Sequence, residues 1–218
     1  MVFMFRPLPI RLKCSRAEYI SDAVVHVLGV FIVAAAVPVL IVLAALGASE
    51  PDAIVGASIY GAAFAVMILC SALYNMIPHP DWEWLLKRLD HSAIYLKIAG
   101  TFTGLVLVVG HHLWLIVAVW TTAGAGVALK LIAPHGFRRL GLALYLGMGW
   151  VGAVFGWGVF ADLPVASTAL IAAGGGIYTA GVIFYLWDRL PHHMAIWHVF
   201  VLLGSLSIYG AMTIAVLA

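Results

Sequence analysis

The chain has 218 residues, 65% of them hydrophobic and 9% charged, with a formal net charge of +2. At a mean hydropathy of +1.11 it has more apolar surface than a water-soluble domain of this length can bury, and its long uncharged runs demand a bilayer. The slight positive balance is that of tails and loops meeting anionic lipid, which excludes a nucleic-acid-binding patch; no phosphate-binding loop, nucleophile elbow or paired-carboxylate motif occurs.

Residues 1–16 carry Arg6, Arg11, Lys13 and Arg16 ahead of any long apolar run. No small-residue cleavage site follows a short apolar core, so 1–20 reads as a cytoplasmic tail and 21–218 as the membrane domain. Seven apolar segments then reach the about 20 residues needed to span: 23–46, 53–77, 90–109, 113–132, 140–160, 164–186 and 194–217. Ser21 and Asp22 predict the start of the first helix, and Glu50, Pro51 and Asp52 that of the second. The stretch DWEWLLKRL (81–89) predicts a short amphipathic turn at the membrane interface, with Trp82 and Trp84 as anchors and the third helix opening at Asp90. Trp114, Trp120 and Trp187 also suit interfacial belts. The glycines of the fifth span (141, 147, 149, 152, 156 and 158) and of the sixth (174–176 and 181) predict close helix packing.

Basic residues set the orientation. Besides the tail, the second loop holds Lys87 and Arg88, the fourth Lys130, Arg138 and Arg139, and the sixth Arg189; the first, third and fifth loops hold none. The predicted fold is therefore all-α, a seven-transmembrane helix bundle with its N-terminus cytoplasmic and its C-terminus outside. Cys14 and Cys70 both fall toward the cytoplasmic side, so a disulfide is not expected.

This orientation gathers polar residues at one depth. Ser71 and Asn75, four apart, share a face in the last turns of the second span. Asp90 opens the third. Met194 and His198, again four apart, share a face at the start of the seventh, and His26 lies in the first turns of the first. All fall within roughly 10 Å of the inner surface at about 1.5 Å per residue. Polar groups inside a membrane span are expensive and are the default place to look for function. Lys97, seven residues after Asp90, either reaches this cavity and neutralises Asp90 or snorkels to the inner surface. His26 is read as a helix–helix hydrogen bond, and His111 and His112 as a solvated outer loop.

The segments AEYISDAVVHVLGV (17–30), SALYN (71–75), LDHSAIYLKIAGTFTG (89–104), LYLGMGW (144–150), GGGIYTAGVIFY (174–185) and AIWHVFVLLGS (195–205) cover all spans but the fourth. In order and spacing the chain resembles the hemolysin III family, the bacterial branch of the progestin and adipoQ receptors, seven-helix proteins related to alkaline ceramidases. That resemblance implies a multi-pass protein of the bacterial cell membrane with membrane lipids as partners. It also implies a zinc site: Ser-x-x-x-His ends the second helix, Asp opens the third and His-x-x-x-His opens the seventh. Three imidazoles and a water on zinc suit hydrolysis of an amide or ester. Ser71, Asp90 and His198 match the family's Ser, Asp and last His, whereas Asn75 and Met194 stand where the family has its other two His. An amide and a thioether are poor replacements for imidazole on zinc.

The expectation is therefore no bound metal. Zinc relocated through His193, His79 or His91, or retained by Asp90, His198 and waters, is the alternative. The favoured role is lipid binding or membrane homeostasis without metal-dependent catalysis. A lipid amide hydrolase with an altered site, with Asp90 as base beside His198 and Ser71, is the second reading. A pore-forming cytolysin is the third, although no span carries the continuous polar stripe of a channel.

Overall fold

The computed structural model describes residues 15–47, 50–77, 79–132 and 138–218. The basic cluster Arg6, Arg11 and Lys13, and Cys14 with it, lies outside them. Within the described residues the chain is helical throughout: α1 (Arg16–Gly47), α2 (Pro51–Met76), α3 (Glu83–Val109), α4 (Trp114–Ile132), α5 (Arg138–Phe155), α6 (Trp157–Asp162), α7 (Val165–Leu186) and α8 (His193–Leu217). Six of these, α1 to α4, α7 and α8, are long and apolar enough to cross a membrane.

Three boundaries differ from the sequence expectation, each for a local reason. The first helix begins at Arg16, not at Ser21. Ser15 accepts the Glu18 N–H (3.2 Å) while the Glu18 carboxylate accepts the Ser15 N–H (2.6 Å). This reciprocal box satisfies two helix-end donors, so Ser21 and Asp22 become interior residues of α1. The third helix begins at Glu83, so the expected interfacial turn is its first two turns and Asp90 is not its opening residue. Trp82 and Trp84 are exposed there, and Arg88 donates to the Leu131 carbonyl at the end of α4 (3.2 Å), complementing that helix terminus. The apolar segment 140–160 is divided between α5 and α6. The break falls at Gly156, whose N–H still bonds Gly152 O (2.8 Å) but whose backbone lies against Leu115.

The bundle is built on close helix crossings. A Cβ added at Gly56 would meet Gly104 O at 3.0 Å, and one at Gly174 would meet Gly204 O at 3.0 Å. These contacts bring α2 against α3 and α7 against α8, as small residues do between membrane helices. Other glycines serve differently: Gly152 receives the Phe102 ring, while Gly147, Gly149 and Gly176 face open space. Tyr60, Phe64, Tyr95, Leu40, Leu105 and Met212 fill the interior. Trp120 is half a belt residue only, since its indole N–H bonds Thr103 Oγ1 on α3 (2.9 Å).

Helices α1 and α8 run parallel. At one end Glu18 accepts the His192 N–H (3.1 Å), and at the other the Leu217 side chain abuts Gly47. Likewise α5 and α4 run antiparallel over the same height, with Gly141 beside the Lys130 side chain at one end and Gly156 beside Leu115 at the other.

Candidate functional site

Residues from α1, α2 and α8 converge at the end of the bundle where α1 and α8 begin. Tyr19 donates to Met76 O (3.0 Å), tying the start of α1 to the end of α2. Ser21 donates to Glu18 O, so its oxygen accepts from His192 Nδ1 (2.8 Å) at the foot of α8. Just inside this seam lies the polar cluster.

His198 Nδ1 is 2.6 Å from Asp22 Oδ1. His26, one turn beyond Asp22, donates from Nδ1 to the Asp22 carbonyl (2.8 Å), and its Nε2 faces Ser71 Oγ (3.2 Å). The His26 and His198 rings meet edge to face with centroids 4.4 Å apart. Asn75 donates from Nδ2 to Ser71 O (2.9 Å) and also approaches Ser71 Oγ and His26 Nε2, each at 3.4 Å. Because a backbone carbonyl only accepts, the amide nitrogen of Asn75 is the atom turned toward Ser71 and His26.

Protons can be assigned to this network without conflict. Asn75 N–H donates to Ser71, the Ser71 hydroxyl to His26 Nε2, His26 Nδ1–H to the Asp22 carbonyl, and His198 Nδ1–H to the Asp22 carboxylate. Every donor in that chain meets an acceptor, as buried polar networks require. The Nε2 atom of His198 remains for a further partner.

The structure therefore brings Ser71, Asn75, His26 and His198 together and adds Asp22, which sequence reasoning had read as a helix cap. The missed signal was the spacing of Asp22 and His26, four residues apart inside an apolar run, which puts both on one helix face. Met194 occupies the first turn of α8, four residues before His198, and is half-buried. Asp90 lies in α3, and its carboxylate acts electrostatically on the Cys70 thiol and the Tyr145 phenol. The carboxylate bonded to His198 is that of Asp22.

Lys97 neither neutralises Asp90 nor snorkels. Its Nζ lies 3.8 Å from the centre of the Tyr60 ring and 4.8 Å from that of Phe64, and donates to Thr101 Oγ1 (3.3 Å). The side chain is only 3% exposed. It sits in the middle of α3, too far from either end of the helix for its stem to reach water, so it takes two aromatic faces and a hydroxyl instead. Of the other histidines, His193 donates to Phe184 O (3.3 Å), His79 is exposed beside Asp81, and His91 packs on Tyr74.

A profile described as "Haemolysin-III related" matches residues 17–209. The chain belongs to the hemolysin III family. Hemolysin-3 of Bacillus cereus is 36% identical to it over 195 residues, covering 88% of this chain and 89% of that protein. A hemolysin-3 homolog of Bacillus subtilis (strain 168) is 37% identical over 197 residues, covering 88% and 91% respectively. A hemolysin III protein of this composition, with these apolar helices, is a multi-pass membrane protein.

The zinc arrangement implied by the family resemblance does not fit the residues present. Of its three imidazole positions only 198 carries His, and one nitrogen of that ring is engaged by Asp22. At position 75 a metal would meet a side-chain amide, whose nitrogen cannot ligate and whose oxygen is a poor replacement for imidazole on zinc. At position 194 it would meet a thioether, which zinc disfavours.

Proposed function

We propose that this hemolysin III protein crosses the bacterial cell membrane seven times, with its N-terminus in the cytoplasm and its C-terminus outside. On this reading it binds lipid and tunes the membrane through the cluster of Asp22, His26, Ser71, Asn75 and His198, and it does not hydrolyse lipid amides at a metal. The parallel course of α1 and α8 supports an odd number of crossings, because two parallel helices start from the same side. With the six long helices alone, α1 and α8 would run antiparallel; counting α5 with α6 as one further crossing restores the agreement. The distribution of Lys and Arg among the loops supports the cytoplasmic N-terminus.

The observation that carries the functional reading is the self-satisfied network. Its donors and acceptors pair with one another and need no cation, while His198 keeps Nε2 available to a lipid headgroup. The test uses purified protein in vesicles containing a long-chain ceramide. The expected result is no amide hydrolysis above that of the His198→Ala variant. Turnover that disappears in His198→Ala would overturn the reading. Alkaline phosphatase fused after Ala218 is expected to be active, and an inactive fusion with an active cytoplasmic reporter would overturn the orientation.

A further inference from the structure

The opposite end of the bundle holds a second cluster with a different character. His111 and His112 form the turn between α3 and α4, and Asp162 ends α6. His111 Nε2 lies 2.7 Å from Asp162 Oδ2, and His112 Nε2 lies 3.7 Å from the same oxygen. The three side chains are 55%, 30% and 45% exposed, in the order His111, His112, Asp162, so an ion from solution can reach them.

Neutral rings close the first network, but here His111 meets the Asp162 carboxylate only with a cation at Nε2. His111 Nδ1 lies 3.0 Å from Val109 O. A carbonyl only accepts, so Nδ1 carries the ring proton. In the neutral ring Nε2 is then a lone pair, aimed at a carboxylate oxygen 2.7 Å away. Two acceptors at that distance repel unless a proton or a metal ion lies at Nε2. A proton would serve His111 alone. One metal ion serves both imidazoles and the carboxylate together, and a ring whose other nitrogen donates to a backbone carbonyl is the usual form of a metal-ligating histidine.

The backbone is shaped to hold this arrangement. Gly110 ends α3 at φ 82 and His112 follows at φ 66, a left-handed conformation uncommon for a residue with a side chain. The His112 ring lies on Gly158, where an added Cβ would come within 2.6 Å of its Cε1 and 2.8 Å of its Nε2. Gly158 and Asp162 are four apart on α6, so one face of that helix offers both the notch for the ring and the carboxylate. Ligand atoms on a tetrahedral zinc ion, at about 2.0–2.2 Å each, lie roughly 3.3 Å from one another. His112 Nε2 stands 3.7 Å from Asp162 Oδ2, near that value, all three ligand atoms lie within 4.8 Å of one another, and the 2.7 Å His111–Asp162 contact lengthens to admit the ion.

We propose that His111 Nε2, His112 Nε2 and Asp162 Oδ2 form a binding site for a divalent transition metal of the zinc type, with water completing the shell. The site tethers the α3–α4 turn to the end of α6, away from the polar cluster of α1, α2 and α8.

The test titrates zinc into the purified full-length protein, without a polyhistidine tag, against a competing chelator. One zinc per chain is expected, and cobalt in its place should give the visible bands of a four-coordinate ion. His111→Ala, His112→Ala and Asp162→Asn should each weaken zinc by at least ~10-fold, with helical circular dichroism unchanged. Gly158→Val keeps all three ligands but fills the notch beneath His112, and it should also weaken binding. Absence of saturable zinc binding, or affinity unmoved by His111→Ala and His112→Ala, overturns the site. Zinc lost only in His198→Ala would also overturn it, and would sink the metal-free reading of the other cluster as well.

Discussion

His198 Nδ1 and Asp22 Oδ1 lie 2.6 Å apart although 176 residues separate them in the chain. Their bond joins the first turns of α8 to the first turns of α1, and with it the two parallel helices that bracket the fold. Both side chains are largely buried, at 11% and 16% exposure. A charge-assisted bond in such surroundings is worth more than a surface pair, and losing one partner leaves the other uncompensated.

Asp22→Ala is therefore expected to lower the unfolding free energy by about 3 kcal/mol, and His198→Ala by a similar amount. The double variant should lose little more than either single one. A double-mutant cycle by reversible unfolding in mixed micelles should return a coupling of at least ~1 kcal/mol. Additive losses would show that the pair is not coupled.

Lys97 gives the opposite expectation. Its Nζ rests on Tyr60 and Phe64 and bonds Thr101, with no carboxylate within ion-pair distance among the described residues. Placing a cation at mid-membrane costs about 2.5–3.5 kcal/mol, and two ring faces return about 2 kcal/mol. Lys97→Met should leave thermal stability unchanged or raise it slightly. A clear fall in melting temperature would mean that an anionic partner had been removed.

Glycines in the bundle should respond unequally. Gly56→Val drives a side chain into Gly104 O and Leu107, each 3.0 Å from an added Cβ, and overpacking of this kind costs about 1–3 kcal/mol. Gly147→Ala enters open space and should change little. Melting of the two variants in the same detergent compares them directly, and equal losses would contradict the α2–α3 crossing.

If the missing imidazoles are what exclude zinc from the α1–α2–α8 cluster, restoring them should admit it. Asn75→His with Met194→His puts two further rings near His198, the second one turn before it on α8. The double variant, made in a His112→Ala background, should purify with one zinc per chain, whereas each single variant should not. A double variant without zinc would show that Asn75 and Met194 are not the obstacle.

Hydropathy located most of the architecture to within a residue or two. The expected spans 53–77, 113–132 and 164–186 correspond to Pro51–Met76, Trp114–Ile132 and Val165–Leu186. A bilayer imposes this, because every apolar run must be about as long as the membrane is thick. Starts were harder to read where a polar helix extends beyond the apolar run, as at Arg16 and Glu83. Hydropathy falls there, while hydrogen bonding and capping continue the helix.

From the residues alone came the all-helical membrane character, the layer holding Ser71, Asn75, His26 and His198, and the departure from the family's imidazoles at 75 and 194. Depth along a span is a one-dimensional quantity, and counting residues measures it. Rotation about a helix axis and choice of neighbour are not. Only the packing of α1 beside α8 turned Asp22 from an apparent cap into the partner of His198. Only the meeting of the α3–α4 turn with α6 brought His111 and His112 to Asp162. The same packing set Lys97 on Tyr60 and Phe64 instead of near Asp90, because a side chain's surroundings depend on which helix faces it across the bundle.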